Sequence, residues 1–224
     1  MVSATGSVAM GEGIRRLLAG RVVLPAPPIL ELGGNNALVI TASNQESQLE
    51  WIIGSLMQSF LGTTGQRCTN TRRLLVHEQL FAPLVDQLTY CLQQFVADFS
   101  ANPVEHASGY HVLIDADAYA RFEAAKQAAM AEGGRMVFGE RMASAHNVYR
   151  IQPALAIMPG HTACMHHETF APLLYVAPYR GDIAEAMVWV NAPQNAGLVN
   201  GIYTRSVREA EEFTLLNAAG HGLV

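Results

Sequence analysis

The chain has 224 residues, of which 50% are hydrophobic and 15% charged, and its formal net charge is −5. This length fits one large domain or two small ones, and the apolar content can fill a substantial core. The sequence has neither a block of lysine and arginine nor a basic stripe with interleaved aromatic residues, so we expect no nucleic-acid partner. No apolar run is long enough to cross a bilayer, and residues 1–20 lack the order of a signal peptide. Three widely spaced cysteines favour a reduced, cytoplasmic setting over a disulfide framework.

Hydrophobic periodicity predicts alternating strands and helices along the chain. Ahead of the first cysteine it predicts a helix at Glu12–Ala19, a strand at Asn36–Ile40 and a helix from Leu49 to Phe60. Beyond that cysteine it predicts a strand at Arg73–Val76, helices at Phe81–Phe95 and Asp115–Glu132, strands at Met136–Phe138 and Leu173–Tyr179, a helix at Ile183–Val190, a strand at Leu198–Tyr203 and a helix at Ser206–Leu216. Such alternation is typical of an α/β layered fold with a mostly parallel sheet. Stretches 98–112 and 139–168 carry connections of unclear structure.

Cys68 is the first candidate for chemistry. It lies in Gly65-Gln66-Arg67-Cys68-Thr69, on a loop that follows the end of a predicted helix. A thiol needs a base or a positive field to become a nucleophilic thiolate. Upstream, Glu31 stands between apolar residues and the pair Gly33-Gly34, where a buried carboxylate in an apolar turn could activate water. A nucleophilic thiol and a general base are the two protein groups of a thioester mechanism.

Each of these residues also has an ordinary structural interpretation. A free cysteine is most often a small buried hydrophobe, which is how we interpret Cys91 and Cys164. From spacing alone, that is the more frequent outcome for Cys68 as well. Glu31 alone fits a surface turn or a helix cap.

Two further segments could contact a cofactor. Residues 5–11 place glycines and small hydroxyls at a helix N-terminus, where backbone N–H groups and the helix dipole favour a phosphate. Ordinary helix capping is the commoner explanation of such a pattern. The segment Glu168–Pro172 offers a carboxylate for a ribose and an aromatic ring for packing. On chemistry alone, a plain strand start with Phe170 in the core is favoured there.

A group of histidines invites a metal interpretation. His166 and His167 are followed directly by Glu168, and His161 lies close in sequence. Adjacent residues on an extended segment point to opposite faces, and no second cluster completes a coordination set. The sequence therefore predicts no metal site.

Four motifs, in one order and at compatible spacing, resemble the aldehyde dehydrogenase superfamily. They are Thr5-Gly6-Ser7…Gly11, Leu30–Ala37, Gly65–Thr69 and Glu168–Pro172. The similarity continues to about Phe213. Asn35-Asn36-Ala37 and the Glu168–Pro172 variant look most like the antiquitin-type branch, which oxidises α-aminoadipic semialdehyde and related aldehydes. The resemblance implies the layered sheet with flanking helices of an aldehyde dehydrogenase catalytic domain, and NAD(P)-dependent oxidation of a small aldehyde or semialdehyde.

The resemblance also implies a role for individual residues. Cys68 would add to the aldehyde carbonyl, its backbone N–H would help hold the oxyanion, and Glu31 would activate the water that hydrolyses the thioester. NAD or NADP would be bound by Gly6, Ser7, Gly33, Glu168 and Phe170. Gly6 and Ser7 would lie near the pyrophosphate. Glu168 would hold the nicotinamide ribose, and Phe170 would pack beside the nicotinamide. Gly33 and Gly34 would keep the turn narrow so that Glu31 can swing.

Comparison with the superfamily pattern implies a chain shortened at both ends, which lacks the full dinucleotide-binding domain. Residues 1–30 would be a remnant of the end of the cofactor-binding domain, 31–213 the catalytic domain, and 214–224 a frayed tail. Two features of the superfamily would be missing. One is the asparagine that supplies a second oxyanion donor, and the other is the aldehyde anchor loop. Segment 102–111 looks shortened.

Three functions follow as hypotheses. The leading one is an aldehyde dehydrogenase-type oxidoreductase in truncated or split form, with impaired activity alone. The second is a non-catalytic remnant or a domain that interacts with an aldehyde dehydrogenase subunit, and the third is a cofactor-free thiol esterase. Loss of a whole domain would expose apolar surface, so we expect self-association or a complementing aldehyde dehydrogenase subunit.

Overall fold

A computed structural model describes residues 1–21, 27–101, 112–142, 149–192 and 198–216, without the side chains of 99–101. The strands are β1 (Ser3–Thr5), β2 (Ile29–Glu31), β3 (Asn36–Ile40), β4 (Thr71–His77), β5 (Arg135–Phe138), β6 (Ala154–Ile157), β7 (Leu173–Tyr179) and β8 (Gly201–Tyr203). The α-helices are α1 (Val8–Ala19), α2 (Leu49–Leu61), α3 (Glu78–Ala101), α4 (Ala116–Ala131), α5 (Ile183–Asn191) and α6 (Val207–Leu216). Each helix and strand predicted from the sequence is present, although several ends differ.

Six strands form one sheet in the order β5-β6-β7-β4-β3-β8. Neighbouring strands run parallel except β5 and β6, which confirms the predicted mostly parallel α/β architecture. Strand β6 falls in a stretch to which the sequence assigns no element. It has only four residues, two of them alanine, and such a short apolar run carries little periodic signal.

Helices cover both faces of this sheet. On one face, α2 and α3 bury apolar residues such as Phe60 and Leu88 against the strands. On the other face, α4 and α6 contribute Phe122 and Phe213 to a second buried cluster. Strand β4 is buried along its whole length, as expected for a central parallel strand covered on both sides.

Three loops with predicted site residues lead into neighbouring strands. Residues 33–35 precede β3, the Cys68 loop precedes β4, and residues 168–170 lie just before β7. Because these three strands are adjacent and parallel, their amino ends meet at one edge of the sheet. The topology therefore brings the three loops together.

A separate two-stranded sheet joins the N-terminal segment to the segment that ends at Glu31. Strands β1 and β2 are parallel, with Thr5 opposite Glu31, and the Gly6 N–H donates to the Glu31 carbonyl at 2.9 Å. The prediction of a buried Glu31 in an apolar turn is wrong, because this residue ends a strand and is exposed. The alternation of a strand turns Leu30 inward and its neighbours outward.

Some predictions fall outside the described residues, namely the shortened length of segment 102–111 and the part of the predicted frayed tail from residue 217 onward. Residues 214–216, which the prediction includes in that tail, are the end of α6. The predicted domain boundaries at residues 30 and 213 stay predictions. Within the described ranges, no helix is long and apolar enough to cross a membrane.

Candidate active site

A cavity of about 740 Å³ lies beside the amino ends of β3, β4 and β7. It is lined by Thr5, Gly6, Ser7, Glu31, Leu32, Gly33, Gln66, Arg67, Cys68, Thr69, Arg121, Glu168 and Phe170. All seven residues predicted to act in catalysis or cofactor binding are among them. The volume is within the range of small-molecule sites, about 300–1,000 Å³. The fold thus brings segments from across the sequence to one concave surface.

The Cys68 loop begins with an unusual backbone reversal after α2. Thr63, Thr64 and Gly65 have positive φ angles of 55°, 56° and 65°. This left-handed region is unfavourable for β-branched residues, so the surroundings must hold the loop in shape. A Cβ at Gly65 would approach the backbone of Ala171 to 2.5 Å. Glycine therefore lets the Cys68 loop lie directly against the segment that leads into β7.

Two buried asparagines anchor this loop. The Asn36 side-chain amide donates to the Cys68 carbonyl at 2.7 Å and to the Asn70 carbonyl at 2.8 Å. The Asn70 side chain accepts from the Arg67 N–H at 2.7 Å and donates to the Ser59 carbonyl at 2.6 Å. The backbone around Cys68 is therefore fixed, while Cys68 itself is half-buried and lines the cavity.

We expect Cys68 to react with iodoacetamide faster than either of the other cysteines. Cys164 is buried, and burial raises the pKa of its thiol to about 11. Cys91 packs along the core-facing side of α3. Timed alkylation, followed by mass spectrometry of the three peptides, measures the rates. Equal rates, or the slowest rate at Cys68, would contradict a thiol poised for reaction.

Glu168 faces the cavity from the segment before β7. Its Oε1 accepts a hydrogen bond from the Gly34 N–H at 3.0 Å and lies 3.7 Å from Nη2 of Arg72. Burial raises the pKa of this carboxyl, while the Gly34 N–H and the Arg72 guanidinium oppose that increase. A Cβ at Gly33 would collide with the same carboxylate. One function of the glycine pair is therefore to admit Glu168 to the cavity wall.

Phe170 lies at the cavity surface. It is 36% exposed and has a positive φ of 51°, and β7 begins only at Leu173. The prediction from residue chemistry alone, that Phe170 lies in the core, is therefore wrong. The irregular backbone before β7 places the Phe170 ring over Arg72, with 5.4 Å between the guanidinium carbon and the ring centroid.

Two further arginines lie at this site and belong to none of the motifs that point to it in the sequence. Arg121, on α4, is exposed and lines the cavity, and nothing in the helical pattern marks it. Arg72 is buried, and it donates hydrogen bonds to the carbonyls of Gly65, Arg67 and Ala171. In the sequence, Arg72 is marked by its place in an arginine pair at the start of an apolar strand. A guanidinium buried in such a strand needs several hydrogen-bond acceptors, so the pair indicates a network of carbonyls around it.

Two of the predicted histidines, His161 and His166, lie side by side next to Arg73. His161 stacks on Trp189 at 5.5 Å between ring centroids and lies 4.9 Å from the His166 ring. Its Nε2 is 3.3 Å from Nη1 of Arg73. Burial, with the charges of Arg73 and His166, lowers the pKa of His161 to about 3, so the ring stays neutral at physiological pH. Among the described residues, no group of three or more His, Cys, Asp or Glu side chains could hold a metal ion.

A profile of the aldehyde dehydrogenase family matches residues 1–222. The chain belongs to the aldehyde dehydrogenase family. The match includes all four motifs that carry the resemblance in sequence, so that resemblance is confirmed.

Curated relatives of this aldehyde dehydrogenase chain carry names of the predicted branch. An α-aminoadipic semialdehyde dehydrogenase from Mus musculus is 31% identical over 208 residues, which are 92% of this chain and 36% of the relative. An aldehyde dehydrogenase family 7 member A1 from Pisum sativum is 30% identical over 206 residues, 92% of this chain and 38% of the relative. The chain thus spans little more than a third of the length of these relatives.

Solved aldehyde dehydrogenase structures share the fold. Lactaldehyde dehydrogenase from Escherichia coli superposes with a TM-score of 0.81 at 28% identity, over 99% of this chain and 44% of that chain. An indole-3-acetaldehyde dehydrogenase from P. syringae, in complex with NAD+, gives a TM-score of 0.83 over 100% of this chain and 44% of that chain. Its 19% identity shows the fold alone. The predicted aldehyde dehydrogenase-type layered sheet is confirmed.

Proposed function

We propose that this chain carries the thiol chemistry of an NAD(P)-dependent aldehyde dehydrogenase, which oxidises an aldehyde or semialdehyde to a carboxylic acid through a thioester on Cys68. The observation that carries this proposal is the single cavity shared by the seven residues selected from the sequence. Family membership supplies the reaction class. The names of the relatives favour a semialdehyde as the substrate.

In the proposed reaction, Cys68 and Glu31 act in succession. The Sγ of Cys68 adds to the aldehyde carbonyl carbon, the carbonyl electrons move to oxygen, and the Cys68 backbone N–H donates to that oxyanion. When bound, NAD or NADP supplies the two-electron acceptor that makes oxidation to the thioester possible. Glu31 then takes a proton from water, whose oxygen attacks the thioester carbon. The C–S bond breaks, the acid leaves, and Cys68 returns as the thiolate.

The cavity residues fit the nicotinamide end of a dinucleotide. Gly6 and Ser7 lie at the N-terminus of α1, where backbone N–H groups favour a pyrophosphate. The half-buried Glu168 carboxylate can accept from ribose hydroxyls, and the missing side chain at Gly33 leaves room for it. The exposed ring of Phe170 offers an apolar surface to the nicotinamide. These five residues would hold the cofactor beside Cys68.

For the isolated 224-residue polypeptide we propose impaired turnover. Productive oxidation needs the cofactor and the thiol held at near-attack distance, and this polypeptide spans little more than a third of the length of its curated relatives. We also propose self-association, or association with a complementing aldehyde dehydrogenase subunit. Steady NADH formation from a semialdehyde by the chain alone, abolished in Cys68→Ala, would contradict this part of the proposal.

The thiol chemistry can be tested without a cofactor. p-Nitrophenyl acetate delivers an acyl group to a nucleophilic thiol and releases p-nitrophenolate. We expect a burst of p-nitrophenolate and an acetyl adduct on the Cys68 peptide, both lost in Cys68→Ala and kept in the matched variant Cys91→Ala. An absent adduct, or equal labelling of Cys91, would count against the proposal.

Calorimetry with NAD and NADP then separates the dehydrogenase from the thiol esterase. If the chain binds NAD or NADP, and the Glu168→Gln variant binds it more weakly, the result supports the dehydrogenase. Acylation of Cys68 without detectable binding of either cofactor would favour the esterase.

A further inference from the structure

We propose that Arg72 is a positioning residue that orients the backbone N–H of Cys68 toward the developing oxyanion. The same side chain ties the Cys68 loop to the segment that leads into β7. Arg72 does not line the cavity, so it acts through its neighbours. The inference rests on the proposed thiol chemistry of Cys68.

The orientation follows from one hydrogen bond. Nη2 of Arg72 donates to the Arg67 carbonyl at 2.8 Å. This carbonyl and the Cys68 N–H belong to the same planar trans peptide, in which the two groups point in opposite directions. The next peptide is held as well, because Asn36 donates to the Cys68 carbonyl at 2.7 Å. Both peptide planes that flank the Cys68 Cα are therefore fixed, and with them the direction of the N–H.

The second guanidinium nitrogen bridges two distant parts of the chain. Nη1 of Arg72 donates to the Gly65 carbonyl and, at 3.2 Å, to the Ala171 carbonyl. Ala171 lies 99 residues away in the sequence. A planar guanidinium presents several donors in a fixed fork, whereas a lysine ammonium is a compact point charge. The two terminal nitrogens of the Arg72 fork thereby hold three carbonyls at fixed positions.

Electrostatics adds to the geometry. Arg72 is 1% exposed, and burial lowers its pKa to about 10, so the guanidinium is charged at neutral pH. The carboxylate of Glu168 and the negative charge that Cys68 acquires as a thiolate both favour this charged state.

Two reactions of the same thiol test this role. Acylation by p-nitrophenyl acetate forms an oxyanion, whereas alkylation by iodoacetamide displaces iodide and forms none. In Arg72→Lys, which keeps the charge, we expect acylation of Cys68 to fall about 10- to 100-fold, with alkylation little changed. Arg73→Lys is the matched control, because Arg73 follows on the same strand, is equally buried, and bonds other carbonyls, those of Asn35, Trp189 and Val190.

The ratio of acylation to alkylation decides the outcome. A lower ratio in Arg72→Lys but not in Arg73→Lys supports the positioning role. Parallel loss of both reactions in Arg72→Lys would indicate a merely structural role and overturn the inference. A wild-type chain that alkylates at Cys68 but does not acylate would overturn the proposed function as well, so the two failures are distinguishable.

A measurement on the wild-type chain covers the case in which Arg72→Lys does not fold. Guanidinium protons held by carbonyl acceptors exchange slowly with solvent. In ¹⁵N-resolved NMR spectra, we expect the Nη protons of Arg72 to exchange more slowly than those of the exposed Arg15. Equally fast exchange would refute the bridge.

Discussion

In the Glu31→Gln variant, the acyl group on Cys68 should persist about 100 to 10,000 times longer than in the wild-type chain, which is the range for loss of a general base. Glutamine keeps the size and hydrogen-bonding shape of the side chain but cannot take a proton from water. Glu31 is exposed and lines the same cavity as Cys68, so water can reach it. The acylation step needs no base at Glu31 and should change little.

To measure the lifetime of the acetyl adduct, reactions with p-nitrophenyl acetate are quenched at intervals, and the mass of the intact chain is determined by mass spectrometry. Glu12→Gln is the matched control, because Glu12 is a carboxylate on α1 that pairs with Arg16. It does not line the cavity. If deacylation is as fast in Glu31→Gln as in the control, Glu31 is not the base, and the role that the resemblance implies for it fails.

The largest expected loss of stability is at Gly65. In Gly65→Ala, the free energy of unfolding should fall by about 2–5 kcal/mol, as the sum of a strained backbone and an overpacked contact. Gly65 has a φ of +65°, and a new Cβ would lie 2.5 Å from the Ala171 backbone, which cannot move without shifting β7. The Gly65 carbonyl also accepts from Arg72, so displacement of the loop would weaken that bridge.

Urea unfolding, followed by circular dichroism, compares this variant with Gly54→Ala. Gly54 lies in the middle of α2, and a Cβ there would meet nothing within 4 Å. Alanine at that position should raise the free energy of unfolding by about 0.5–1 kcal/mol, because glycine is unfavourable inside a helix. A Gly65→Ala chain as stable as wild type would show that the contact with Ala171 is absent in solution.

The regular elements of this fold could be predicted from local pattern. Local signals predict α2, where apolar residues recur at helical spacing, and β7, which is a continuous apolar run. For β7 the bounds Leu173–Tyr179 are the same in prediction and structure. Strand β6 is too short for such a signal. Parallel pairing is also implied by the alternation of strands and helices, since parallel neighbours need a crossover between them.

The order of the four motifs identified the family of this chain, and the resemblance that they carry predicted the seven residues that line one cavity. Tertiary structure alone decided that Glu31 is exposed. For Phe170 it decided between the core, which residue chemistry favours, and the cavity, which the resemblance implies. It alone revealed Arg72 as the bridge behind Cys68. Each of these properties depends on groups distant in sequence: Glu31 on pairing with β1, Phe170 on a left-handed turn beside Arg72, and Arg72 on a carbonyl 99 residues away. Hydrogen-bond partners at such separations leave no periodic trace in the chain, so only the packed fold brings them into contact.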